Sequence, residues 1–405
     1  MNRLFKFAIG LAFAFAIAIA TPVENKLGAQ DVTITIAKTK PKDDVETKKP
    51  FKGKRPSVDV AILLDTSGSM SGLISQAKTQ LWSIIQQFAD AKKNGQTPSL
   101  RVSVFEYGNS RLPASEDYIR QVVQLTDDMD KVSEALFALK TNGGDEYCGA
   151  VIGEAIKRLD WSTETNAYKA IFIAGNEPFT QGPVNYHKTC KTAIESGIVV
   201  NTIHCGDYST GVQGKWKHGA ELAEGEFMNI NQDRQLVHIE APQDKIIIKL
   251  NDELNKTYLW YGEKNVRDGY AQNQVEQDKN AKKSMFGFFS RGKAKSSKAY
   301  GNFNRDLVDT MDENEGILDS VKPSALPSRM QKMSAAERVA HVKKMKTKRV
   351  EIQKKIVEAS KAREDYVANQ RKKMAGKEGQ GNTLGDVINA AVSEQLRASG
   401  FDVKK

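Results

Sequence analysis

The chain has 405 residues, is 40% hydrophobic and carries a formal charge of +10. This length and apolar content suit one substantial α/β core with additional elements, and exclude a broadly disordered protein. The charge is local: 17 Lys/Arg against 6 Asp/Glu fall between residues 321 and 378, and the chain before them is nearly balanced.

Arg3 and Lys6 precede an apolar run over 7–20, the pattern of a secretory signal peptide. Ala18 and Ala20 fit the small-residue rule for cleavage after 20, with a cut after Ala29 as a second option. The run is short for a membrane span, and no later stretch reads as one. The expected location is therefore exported, periplasmic or secreted, with no transmembrane segment after cleavage. In an oxidising compartment a pair among Cys148, Cys190 and Cys205 can form a disulfide, with the pairing left open. Export also makes nucleic acid an unexpected partner. The basic C-terminal region suits an acidic polymer or an anionic surface, or is simply a solvated helix face.

Residues 21–56 read as a Lys/Pro-rich linker, with an alternating stretch at 32–37 that suits an edge strand. The apolar run 58–64 reads as a buried strand. It enters a small-residue loop over 65–72, then a helix whose Ile74, Ala77, Leu81, Ile84, Ile85 and Phe88 share one face. Strands are expected at 100–107, 118–125, 167–174, 198–203 and 227–230. Helices are expected at 129–139, 148–159, 184–196, 216–222 and 244–259. This alternation predicts a mainly parallel sheet flanked by helices, with its binding crevice beyond the carboxyl ends of the strands. A core domain over 57–262 is followed by a polar connecting region at 263–333, in which 285–289 forms an apolar cluster. Ser334 and Glu337 form a capping-box pattern that opens a long basic helix over 334–375. Met345, Ile352, Ile356, Ala359 and Tyr366 follow a spacing close to a coiled-coil heptad, interrupted by Arg349 and Arg363. A terminal amphipathic helix is expected over 382–401.

The sharpest motif is DTSGSM over 65–70, directly after the first strand. Asp65, Ser67 and Ser69 place three oxygen side chains within five residues of a tight loop that Gly68 permits. Hard divalent ions take oxygen ligands, and a carboxylate with two hydroxyls supplies part of such a shell. The alternative is a loop in which Asp65 caps the helix and the serines bond backbone.

The segment VDVAILLDTSGSMSGLISQAK resembles the first strand, metal-ion-dependent adhesion motif and first helix of von Willebrand factor A domains, and a weaker resemblance extends over 58–261. It implies that fold, with a helical C-terminal extension here. It also implies a divalent ion, usually Mg2+ and alternatively Mn2+ or Ca2+, whose shell a carboxylate of a protein partner completes in adhesion or assembly. In the family a Thr from a second loop and an Asp from a third join the Asp-Ser-Ser loop. Here the second loop reads NGGDEY, so Asp145 stands at the threonine position, with Thr141 four residues earlier. The third reads IFIAGNEP, so Gly175 stands at the aspartate position and Asn176 or Glu177 would have to compensate. The candidate ligands are Asp65, Ser67, Ser69, Asp145, Thr141 and Glu177. A disulfide from Cys205 to Cys148 or Cys190 would fasten loops near the crevice.

No catalytic role is expected. His204 and Cys205 are adjacent on a strand and point to opposite faces. His187 and Cys190 can meet on a helix but lack an orienting third group. No glycine-rich phosphate loop with its lysine is present. A metal-independent envelope scaffold acting through the basic tail is the alternative to metal-dependent binding.

Overall fold

The computed structural model describes residues 55–164, 166–233, 238–374 and 383–403. The signal segment, the alternating stretch at 32–37 and the glycine-rich break at 376–381 lie outside the described residues. β1 (Ser57–Asp65) is buried along its whole length, because it runs through the centre of a six-stranded sheet. The other strands are β2 (Ser99–Tyr107), β3 (Ile119–Thr126), β4 (Tyr168–Gly175), β5 (Val199–Cys205) and β6 (Phe227–Ile230). Their order is β3-β2-β1-β4-β5-β6, parallel throughout except for β3, which runs antiparallel to β2. A parallel pair needs a crossover, and here helices supply it and cover both faces.

The period of two along each strand divides its side chains between two apolar layers. Val58, Val60, Ile62 and Leu64 enter one layer, which contains α1 (Ser71–Asp90) and α2 (Met129–Ala138). Ala61 and Leu63 enter the other, with α3 (Cys148–Arg158) and α4 (Tyr186–Glu195). Two short helices, α5 (Tyr208–Gln213) and α6 (Trp216–Leu222), follow β5, and Trp216 joins that second layer.

The chain then continues as a helical extension that folds back on the domain. It comprises α7 (Asp244–Asn255), α8 (Lys264–Lys282), α9 (Met285–Ala294), α10 (Leu307–Glu313), α11 (Ile317–Ser320), α12 (Ala335–Met374) and α13 (Leu384–Ala398). The stretch read from sequence as a polar connection is thus largely helical. The pattern hides it because the inward positions of α8 are nearly all polar and α9 sets a buried arginine among its apolar ones. Arg291, 1% exposed, donates to Asp130 and Asp278, each at 2.6 Å, and lies 4.4 Å from the Trp82 ring centroid. Phe288 and Phe289 of the apolar cluster pack against Ile247 of α7.

The two arginines that interrupt the α12 stripe belong to its packed face. Arg349 donates to Asp306 and Asp309 at 2.7 Å and stacks 4.1 Å over Tyr258. Arg363 donates to Asp244 at 2.7 Å and stacks 4.0 Å over Phe289. The long helix therefore packs within its own chain, against α7, α9, α10 and α11. α13 lies against α1 and β6, where Leu384, Val387, Ile388, Val392 and Leu396 complete the first apolar layer. No helix among the described residues is long and apolar enough to cross a membrane.

Candidate metal and partner site

The site lies at the carboxyl ends of β1 and β4. β1 delivers Asp65 to the end of the sheet, fully buried. The chain then turns through a short 3-10 segment at Gly68–Met70 into α1. The Ser67 peptide N–H donates to Asp65 Oδ1 at 2.7 Å, and the Ser67 and Ser69 hydroxyls lie 3.3 Å apart. Ser67 is buried and Ser69 exposed, so the three oxygen side chains run from the core to the mouth. The second loop is tied to the first, with Asn142 N–H donating to the Thr66 carbonyl at 3.0 Å. Thr66 N–H in turn donates to the Tyr107 carbonyl at 2.8 Å.

Asp145 and Glu146 take opposite directions from this second loop. Asp145 is exposed, and its carboxylate accepts the Tyr147 hydroxyl at 3.4 Å, away from Asp65. Glu146 is 6% exposed and turns inward. A Cβ placed on Gly108 would lie 2.6 Å from Glu146 Cγ and 3.0 Å from Asp65 Oδ1, which puts both acids against one glycine. Gly108 also has a φ of +76°, a second reason for glycine there. Thr141 is half-buried and makes no hydrogen bond to the acidic cluster among the described residues. Of the two adjacent acids of the second loop, Glu146 is thus the one turned toward Asp65, and Asp145 faces outward. The sequence holds no signal for this choice, because it depends on which of two adjacent acids the loop turns inward.

The third loop begins at Gly175. A Cβ there would lie 2.6 Å from the Tyr107 hydroxyl oxygen and 3.1 Å from Asp65 Oδ2. Tyr107, fully buried, occupies the space a side chain at 175 would enter, and its hydroxyl donates to the Ala174 carbonyl at 3.0 Å. The loss of an aspartate at 175 is thus matched by a tyrosine on β2, a pairing not found from sequence. Ser69 donates to Asn176 Oδ1 at 3.5 Å. Glu177 is half-buried and contributes negative potential to both inner carboxylates.

The electrostatics follow from burial. Desolvation raises the Asp65 carboxyl to about 7, against hydrogen bonds from Ser67 that stabilise its charge. Glu146 is also raised to about 7, first by burial and then by the charges of Asp65 and Glu177, with a hydrogen bond to Ser67 opposing. Asp65 Oδ2 is buried without a hydrogen-bond partner. An orphaned carboxylate oxygen beside a second acid and two hydroxyls suits a hard cation, which would supply the missing partner and relieve the repulsion. Among the described residues no three His, Cys, Asp or Glu side chains gather closely enough to hold a metal alone, so a cation here would need the serine hydroxyls.

The disulfide that export would allow is not formed: Cys148, Cys190 and Cys205 are all buried free thiols. Cys205 lies in the α1 layer and the other two in the α3 layer, so the sheet separates it from both. Cys148 Sγ instead lies 3.8 Å from the Tyr107 hydroxyl, and burial raises the Cys190 thiol to about 12. Exposed His187 therefore has no thiolate beside it. His204 packs toward Trp216 on the face opposite Cys205, with ring centroids 5.9 Å apart.

Residues 59–220 match the model of the von Willebrand factor type A domain, and the chain carries such a domain. Among solved structures, the chain is similar to BatB from Bacteroides thetaiotaomicron, with 15% identity over 43% of this chain and 90% of that one and a TM-score of 0.33. The SpRpn10 VWA domain is 18% identical over 44% and 91% of the two chains, with a TM-score of 0.35. Proximal thread matrix protein 1 from the mussel byssus, in a structure with a zinc-occupied MIDAS motif, is 15% identical over 44% of this chain and 43% of its own, with a TM-score of 0.34. The chain thus spans less than half the length of the mussel protein. A search of curated proteins finds no match.

Proposed function

We propose that the chain is a binding or assembly module of the cell envelope, in which a divalent ion, most simply Mg2+ and alternatively Mn2+ or Ca2+, is held by Asp65, Ser67, Ser69 and Glu146. A carboxylate from a protein partner completes the shell. The observation that carries this reading is the buried, unpartnered Asp65 Oδ2 beside the raised Glu146 carboxyl. Ser69, at the exposed mouth, marks the side from which the partner arrives. Glu177 lies at the rim and tunes the potential. Asp145 faces solvent, where it is free to meet a partner's basic groups.

Calorimetric titration of Mg2+ and Mn2+ into the metal-stripped chain tests the reading. Binding near one-to-one is expected, with loss of at least tenfold in affinity for Asp65→Ala. Both inner acids sit near 7 without metal, so binding displaces protons and tightens as pH rises from about 6 to 8. Absence of saturable binding both alone and with a carboxylate-bearing partner would remove the metal from the account.

A further inference from the structure

Among the described residues, β6 is the last strand of the sheet and bonds only β5 within it. Thr202 N–H donates to the Glu226 carbonyl and Gly206 N–H to that of Ile230. A parallel ladder engages alternate residues, so Phe227 and Asn229 turn their peptide groups outward, where no described residue bonds them. Beside this edge runs α13, and between them lies a groove of about 440 Å³.

The walls of the groove differ in chemistry. On α13, Asp386, Ala390 and Glu394 are all exposed and spaced four residues apart, which places them in one row. Glu226 adds a third carboxylate at the start of the strand. Across the edge, Tyr208 is 58% exposed and packs on Phe227 with ring centroids 5.4 Å apart. The groove is thus acidic on its helical side and aromatic on the other, in a chain that is basic overall.

We propose that this groove takes an extended, lysine- or arginine-bearing segment of a partner protein as an added strand. The spacing supports it. Asp386 and Glu394 are eight helical residues apart, about 12 Å, and strand residues i and i+4 lie about 13 Å apart on one face. Basic side chains at i and i+4 reach the two acids, and a small residue at i+2 passes over Ala390. The intervening apolar residues face Tyr208 and Phe227. The outward peptide groups of Phe227 and Asn229 supply the backbone pairing and the acids the selectivity. Neither depends on the cation at Asp65.

The test uses the full chain with excess EDTA, which separates this surface from the metal site. The probe is a fluorescein-labelled octapeptide, Lys-Val-Thr-Val-Lys-Val-Thr-Val, followed by anisotropy and by amide exchange at Phe227 and Asn229. Saturable binding that slows exchange at those two amides is expected. An exposed ion pair is worth up to about 1 kcal/mol, or fivefold, and a lysine in its place adds like-charge repulsion, so Glu394→Lys, with its melting temperature confirmed unchanged, weakens binding at least about fivefold. The same peptide N-methylated at alternate amides, or with Glu in place of Lys, does not bind. The proposal is overturned if no saturable binding is seen, if the N-methylated or the Glu peptide binds equally well, or if Glu394→Lys changes nothing.

Discussion

Tyr107 and Gly175 share one volume beside Asp65. The tyrosine hydroxyl occupies the space that a β-carbon at 175 would enter, at a hypothetical 2.6 Å. Restoring the aspartate of the family pattern at 175 therefore overpacks the core. Gly175→Asp is expected to lose about 1–3 kcal/mol, the usual range for such insertions. Adding Tyr107→Phe, which deletes the obstructing oxygen, recovers part of that loss. Urea midpoints of the single and double variants check this; a single variant as stable as the parent would show that the two sites are independent. Much of this site is legible in the sequence: the strand, the tight loop and the three oxygens of Asp65, Ser67 and Ser69 all follow from local pattern. The choice of Glu146 over Asp145 is not legible, nor is the tyrosine that fills the place of a missing side chain. Each depends on loops brought together from distant parts of the chain.

Among the elements, those that follow hydrophobic period are readable and those that pack through charge are not. α1 shows its buried face as a run of Ile, Leu and Phe. α8 and α9 bury Gln274, Gln277, Asp278 and Arg291, so the helical period is written in polar residues and the region reads as a connection. Asp278 is held well below the usual carboxylate range by Lys295 and Arg291, which outweigh its burial, and Tyr300 donates to Asp130 at 2.6 Å. Such a network tolerates no missing member, because a buried charge left without its partner keeps its desolvation cost. Arg291→Ala takes the guanidinium from both acids, leaving Asp130 with the Tyr300 hydroxyl and Asp278 with Lys295 and Asn255, and is expected to destabilise the fold by about 3 kcal/mol. Chemical denaturation measures it; a change below about 1 kcal/mol would mean that water replaces the guanidinium without cost.

At the scale of the molecule, the segment that ends the chain belongs to its core. α13 covers the sheet beside α1, although more than 150 residues separate it from β6. Its five buried aliphatic side chains, Leu384, Val387, Ile388, Val392 and Leu396, at about 1.5–3 kcal/mol each, together match the whole stability of an ordinary domain. A chain ending at residue 382 is therefore expected to lose cooperative thermal unfolding, as read by circular dichroism. A sharp transition near that of the parent would show that the sheet is stable without its last helix.

Which carboxylate of the second loop completes the proposed cation site is tested most directly by a paired Mn2+ titration followed by electron paramagnetic resonance. With Glu146→Gln the bound Mn2+ signal is expected to appear only at concentrations at least tenfold higher than in the parent, and with Asp145→Asn at unchanged concentration. The reverse order, with Asp145→Asn abolishing binding and Glu146→Gln neutral, would contradict the geometry on which the proposed function rests.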